Sequence, residues 1–227
     1  MAGIWLIFIV FTLISWAVSH QLKKRFQEYS KIPTANGMSG KEVVEQMLRD
    51  NGIYDVKVGS VQGQLADHYN PSTKTINLSH EVYNGRSVAA AAVAAHETGH
   101  AVQHAEAYSW LQMRSALVPF VSFSSRYVQW IILAGILLIQ TSLLPLGIGI
   151  VLFAFTTLFS LITLPVEVNA SHRGLKWLQT SGITTERTYP KAYDALKWAA
   201  YTYFVAALSS LAALLYYIMI FLGSSRD

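Results

Sequence analysis

The 227-residue sequence contains no cysteine. That absence excludes disulfide scaffolding, a thiol nucleophile and any metal site built on thiolates, and it leaves the redox compartment open. Charge is scarce as well. Only 13% of residues are Asp, Glu, Lys or Arg, against about 25% in an ordinary soluble domain, while 52% are hydrophobic. Mean hydropathy is +0.33, so much of the chain does not face water. Internal repeats are missing, and the one compositionally biased stretch is a run of alanines near the middle. No basic stripe with interleaved aromatics occurs, so nucleic acid is not an expected partner.

The scarcity of charge is concentrated in three runs. Residues 2–19 are uncharged and about long enough to cross a bilayer. Ala17-Val18-Ser19 loosely resembles a signal-cleavage site, but no positive residue precedes the apolar run and Lys23-Lys24-Arg25 follow it. That order predicts an uncleaved anchor. From Tyr127 to Val166 there is again no charge, which suits two spans joined at Leu143-Leu144-Pro145-Leu146-Gly147. Residues 198–223 make a fourth span, with Tyr201, Tyr203, Tyr216 and Tyr217 near its interfaces.

The expected organisation follows from these runs. It is an N-terminal anchor (1–19), a large polar region (20–126), a membrane hairpin (127–166), a second polar segment (167–197) and a C-terminal span (198–223). Four spans put both polar regions on one side. They carry 11 and 5 of the 17 Lys and Arg residues. Cationic residues are retained inside, so both regions are expected to be cytoplasmic in a multi-pass cell-membrane protein.

Within the first polar region, residues 20–36 read as a basic connector ending near Pro33. Ser39 and Glu42 have capping-box spacing ahead of a helix carrying Val43, Val44, Met47 and Leu48, closed by Asn51-Gly52. Residues 53–61 alternate as a strand. Residues 64–69 and 74–79 flank Asn70-Pro71-Ser72-Thr73, a hairpin signal. An alanine-rich helix is then expected over Ser87–Gln103.

That helix carries His96-Glu97-Thr98-Gly99-His100. Residues four apart share a helix face, so both imidazoles point at one spot, the geometry of a two-histidine grip on Zn²⁺. With no cysteine available, a third ligand must be His, Asp or Glu. Glu167 is the candidate. It follows the third span, just after Pro165, a residue suited to opening a new helical turn. A carboxylate beside a membrane is costly unless something such as a metal neutralises it. An even number of spans separates it from the histidines, which keeps all three on one side. His104 continues the fourfold series but lies about 12 Å from His96 along the helix, too far to share one ion, and is expected either to support the site from behind the ligands or to be structural. His68, His80 and His172 read as ordinary polar histidines. Glu97 is the expected general base, and Arg173, His172 and Tyr201 are alternative oxyanion donors among which spacing does not choose.

Four blocks carry a family resemblance: DHYNPSTKTINLS (67–79), AAHETGHAVQHAEAY (94–108), TLPVEVNASHRGLKWL (163–178) and AAYTYFVAALSSL (199–211). In these blocks, their order and the span layout, the chain resembles the bacterial YugP-type membrane-bound neutral zinc metallopeptidase family. More distantly it is similar to the HtpX and CAAX-prenyl-protease group of membrane gluzincins. The resemblance implies a mainly α polytopic membrane protein of about four transmembrane helices with a small α+β, gluzincin-like zinc protease domain. It implies His96, His100 and Glu167 as ligands of one zinc ion per chain, Glu97 as catalyst, and strand 74–79 as a place where an extended substrate could pair. Where soluble gluzincins often carry an aspartate that orients the first histidine, this chain has Ser171, with Asn169 nearby, and His172 and Gly174 also depart from the expected pattern.

The activity expected is that of a metalloendopeptidase in the membrane. It would hydrolyse peptide bonds of membrane-associated or unfolded proteins at the cytoplasmic face by Glu-assisted attack of zinc-bound water. Two alternatives are a non-catalytic adaptor whose metal is structural and a site-2-type intramembrane protease. The second would need a downstream aspartate ligand, and the hairpin contains none.

Overall fold

The charge-poor runs all become helix. The computed structural model describes residues 2–63 and 65–224. In chain order its elements are α1 (Ala2–Tyr29), α2 (Gly40–Asp50), β1 (Lys57–Val61), β2 (His68–Asn70), β3 (Thr75–Ser79), α3 (His80–Asn84), α4 (Val88–Ala105), α5 (Ser109–Leu137), α6 (Leu144–Thr180) and α7 (Tyr189–Ser224). Among the described residues, four helices, α1, α5, α6 and α7, are long and apolar enough to cross a membrane. The architecture is thus a mainly helical polytopic protein with one small sheet.

These helices outrun the hydropathy that announces them. α1 continues ten residues beyond Ser19, because nothing in Gln21–Tyr29 breaks a helix. The turn between α5 and α6 falls at 138–143 rather than 143–147. Pro145 is the second residue of α6, where its missing N–H costs nothing because first-turn amides have no partner within the helix. Pro165 opens no new helix. It lies inside an unbroken 37-residue α6.

The chain divides into two compact units, and all four long helices contribute to both. One unit contains the residues up to Ala17, Gln112–Pro165 and those from Thr202 on. In it the α5–α6 hairpin packs closely, since a Cβ on Gly135 would lie 2.6 Å from the backbone of Leu146. The hydroxyls of Thr157 and Ser210 pair at 2.7 Å, giving two polar groups on apolar helices an internal partner.

The other unit, Val18–Leu111 and Val166–Tyr201, is built around α4. Ser87 caps α4 by accepting from the Ala90 N–H. Ser39 and Glu42 form the expected capping box on α2. Val43, Val44, Met47, Ile76, Leu78, Val82, Leu178 and Ile183 pack with the alanine face of α4 in one core. The sheet order is β1-β3-β2, with β1 parallel and β2 antiparallel to β3. In the hairpin turn, Asn70 Oδ1 accepts from the Ser72 and Thr73 amides, as its sequence suggested. β3 is therefore the central strand, flanked on both sides. This corrects the expectation that 74–79 offers a free edge: the exposed edges belong to β1 and β2.

Small residues let α4 and α6 meet backbone to backbone, running antiparallel. A Cβ on Gly99 would lie 2.5 Å from the carbonyl oxygen of Ala170, and one on Gly174 would lie 2.8 Å from the backbone of Ala95. Neither obstacle is a flexible side chain. Gly99→Ala should therefore destabilise the protein by about 1–3 kcal/mol. Gly223→Ala, which meets nothing within 4 Å, should leave thermal unfolding in detergent unchanged. Equal melting temperatures for the two variants would contradict this packing.

Candidate metal centre

The α4–α6 contact repeats every fourth residue. Ala95 faces Gly174, Gly99 faces Ala170, and one further step along Gln103 Nε2 donates to the Val166 carbonyl at 2.8 Å. One residue past Ala95, Gly99, Val166 and Ala170 stand polar groups. His96 meets Ser171, and His100 meets Glu167. Helical periodicity thus aims His96, His100 and Glu167 into one space between the two helices. Gly174, a departure from the expected pattern, lets α6 come this close.

The donor set fits a tetrahedral cation. Glu167 Oε2 lies 3.3 Å from His96 Nε2 and 3.5 Å from His100 Nε2. All three ligand atoms fall within 4.8 Å of one another. Donors about 2.0–2.1 Å from a tetrahedral zinc are separated by about 3.3 Å. The group is well shielded, with Glu167 3% and His100 8% exposed.

The far side of each imidazole is also occupied. Gln103 uses its amide N–H₂ on Val166 and on Asn169 Oδ1 (3.0 Å), so its Oε1 faces His100 Nδ1 at 3.0 Å. An amide oxygen only accepts, so Nδ1 carries the proton and Nε2 presents its lone pair to the centre. Ser171 Oγ sits 2.9 Å from His96 Nδ1, and where the hydroxyl accepts there, the His96 Nε2 lone pair likewise faces the centre. Lone pairs on two nitrogens then confront a carboxylate, an arrangement stable only with positive charge between them. Burial alone would push His100 down, yet the facing Glu167 carboxylate holds it above its ordinary value.

Glu97 is 8% exposed, and its Oε2 accepts the Tyr69 backbone N–H at 3.0 Å. Tyr69 lies on β2, so the carboxylate abuts an exposed sheet edge. Just before β2, Asp67 accepts from the Ser79 N–H (2.7 Å) and hydroxyl (3.1 Å), pinning β2 to the end of β3. Burial, with a further push from the Glu97 charge, raises the Asp67 carboxyl despite these bonds.

The remaining candidates sort cleanly. His104 pairs with the Tyr69 hydroxyl, His68 with Ala66 and Asn77, and His80 with Asn84, all polar contacts outside the cluster. His172 is exposed. Arg173 is committed to Asn169 (2.7 Å) and Glu106 (2.7 Å), and Tyr201 packs edge-on against Trp198. Gln103 was not singled out from the sequence. Its signal was there, as the one neutral amide on an otherwise small-residue helix, three residues after a candidate ligand.

The sequence that builds this centre matches a known family. The chain belongs to the family described as "Putative neutral zinc metallopeptidase", whose pattern covers residues 4–222. It is 42% identical over 214 residues, 94% of each chain, to the "Putative membrane protease YugP" of Bacillus subtilis (strain 168). No solved structure matches it.

Gln103→Ala and Ser171→Ala remove no candidate ligand but free an imidazole. Each should weaken zinc binding by about 10–100-fold, read by competition with a chromophoric chelator. Wild-type affinity in both variants would mean that these contacts do not orient the histidines.

Proposed function

We propose that this chain is a gluzincin-type zinc metalloendopeptidase of the cell membrane, with its site facing the cytoplasm, that hydrolyses peptide bonds of membrane-associated or unfolded polypeptides. The observation that carries this reading is the convergence of His96, His100 and Glu167 beside a Glu97 carboxylate seated on a sheet edge. Family membership supports the peptidase chemistry, and the excess of Lys and Arg in the two polar regions supports the cytoplasmic face.

His96, His100 and Glu167 would hold one zinc ion per chain, which when bound supplies a Lewis acid that polarises the scissile carbonyl and acidifies water. The rest of the work falls to side chains and backbone. Tyr69 directs its N–H away from β3, and in an antiparallel ladder its C=O shares that side. An extended polypeptide can add to this edge as a further strand, its backbone carbonyl competing for the Tyr69 N–H. Glu97 takes a proton as water attacks the carbonyl carbon. It then delivers that proton to the nitrogen as the C–N bond breaks. Ser171 and Gln103 hold the imidazoles in place throughout.

A non-catalytic adaptor would not need a carboxylate at position 97, which makes Glu97→Gln the deciding variant. It should retain about one zinc per chain and lose cleavage by about 10²–10⁴-fold. Retained cleavage would refute the base. For sidedness, single cysteines introduced at the exposed positions Ser60 and Thr185 should both react with an impermeant thiol reagent from the cytoplasmic side only. Labelling of either from outside would overturn the orientation.

A further inference from the structure

Tyr69 touches α4 twice, with different atoms. Its backbone N–H donates to Glu97 Oε2 at 3.0 Å, and its hydroxyl shares a hydrogen bond with His104 Nδ1 at 2.7 Å, the rings 5.8 Å apart. Glu97 and His104 are seven residues, about two turns, apart on the helix, with the ligand His100 between them. β2 is only three residues long and is bonded on one side alone. An edge strand this short does not hold its own height above a helix. The two Tyr69 contacts supply the missing restraint, one at each end of the catalytic turn.

The surroundings suit a permanent tie. Burial, reinforced by Asp55, raises the Tyr69 phenol, which keeps its proton. Asp55 is itself held by an ion pair with Lys74, which follows the hairpin turn and whose carbonyl accepts the Lys57 N–H. Asp67 fixes the approach to β2 through Ser79. The segments on either side of the strand are thus anchored, and Tyr69 links it to the helix that carries the candidate base and two candidate ligands.

We propose that Tyr69 and His104 form a positioning pair that holds the outer edge of β2 level with the Glu97 carboxylate, so that a polypeptide added to that edge presents its scissile carbonyl to the base. The pair touches neither metal nor substrate through its side chains. It acts through the placement of the Tyr69 backbone. This inference rests on the peptidase reading above.

Its test uses full-length protein in detergent with a fluorogenic peptide that the wild type cleaves. Tyr69→Phe and His104→Ala should each lower kcat by roughly ten- to a hundredfold, with KM within about twofold and zinc content unchanged. The double variant should be no worse than either single one, since both break the same bond. His104→Asn, which keeps a hydrogen-bonding group near Nδ1, should recover most of the activity. Unchanged kcat, additive losses, or failure of the asparagine variant to recover would overturn the pair. A readout independent of cleavage is exchange of the Tyr69 amide hydrogen. It should quicken by at least about tenfold in Tyr69→Phe and His104→Ala but not in His104→Asn. Unaltered exchange refutes the tether even if no peptide is cleaved. An active Glu97→Gln variant would instead refute Glu97 as the base, and a zinc-loaded wild type that cleaves no peptide would refute the peptidase reading; either leaves the exchange result to decide the tether.

Discussion

The close approach of two backbones, α4 against α6, is the contact from which the rest of the site follows. Gly99 lies against the Ala170 carbonyl and Gly174 against Ala95, with no side chain interposed at either place. Helices that meet this closely and run antiparallel keep a fixed register, so each polar residue one step beyond a contact faces a set partner. His96 then finds Ser171, and His100 finds Glu167. The alanines of α4 extend the same economy of volume to its other neighbours, α2, α3 and the sheet. A single larger side chain at the contact would separate His96 and His100 from Glu167.

The site also shows how polar groups are kept in a largely apolar protein. The outer nitrogen of each imidazole has a partner one layer out. His100 rests on Gln103, Gln103 on Val166 and Asn169, Asn169 on Arg173, and Arg173 on Glu106 at the surface. This chain of contacts relates a half-exposed ion pair to the orientation of an imidazole. Arg173, which the sequence offered as an oxyanion donor, has its use here. Glu97 stands apart from the chain and faces the sheet, the direction from which a polypeptide would come.

Much of this was legible beforehand. The histidine spacing gave one helix face, the absence of cysteine restricted the third donor, and span parity brought Glu167 to the same side. Ser39 with Glu42, Ser87, and the Asn70–Thr73 turn each did what their local chemistry requires. What escaped was tertiary in origin. Hydropathy marks where lipid begins but not where a helix stops, so α1 and α7 ran longer than their apolar cores and Pro165 was absorbed into α6. Alternation along 74–79 reveals which residues are buried but not which strands lie alongside, and the parallel pairing of β1 placed β3 in the centre. Gly174 looked anomalous because its reason, the Ala95 backbone, lies nearly eighty residues away. Gln103 and Ser171 are common residue types whose meaning comes only from what faces them.

The central claim is that these two helices together form one zinc site from two imidazoles and a carboxylate. X-ray absorption at the zinc edge of the purified full-length protein tests it directly. The account predicts a single tetrahedral zinc with two imidazole nitrogens and a carboxylate oxygen at about 2.0–2.1 Å, and a first shell that changes in Glu167→Ala. A zinc environment identical in wild type and Glu167→Ala, or a purified protein that takes up no zinc, would contradict it.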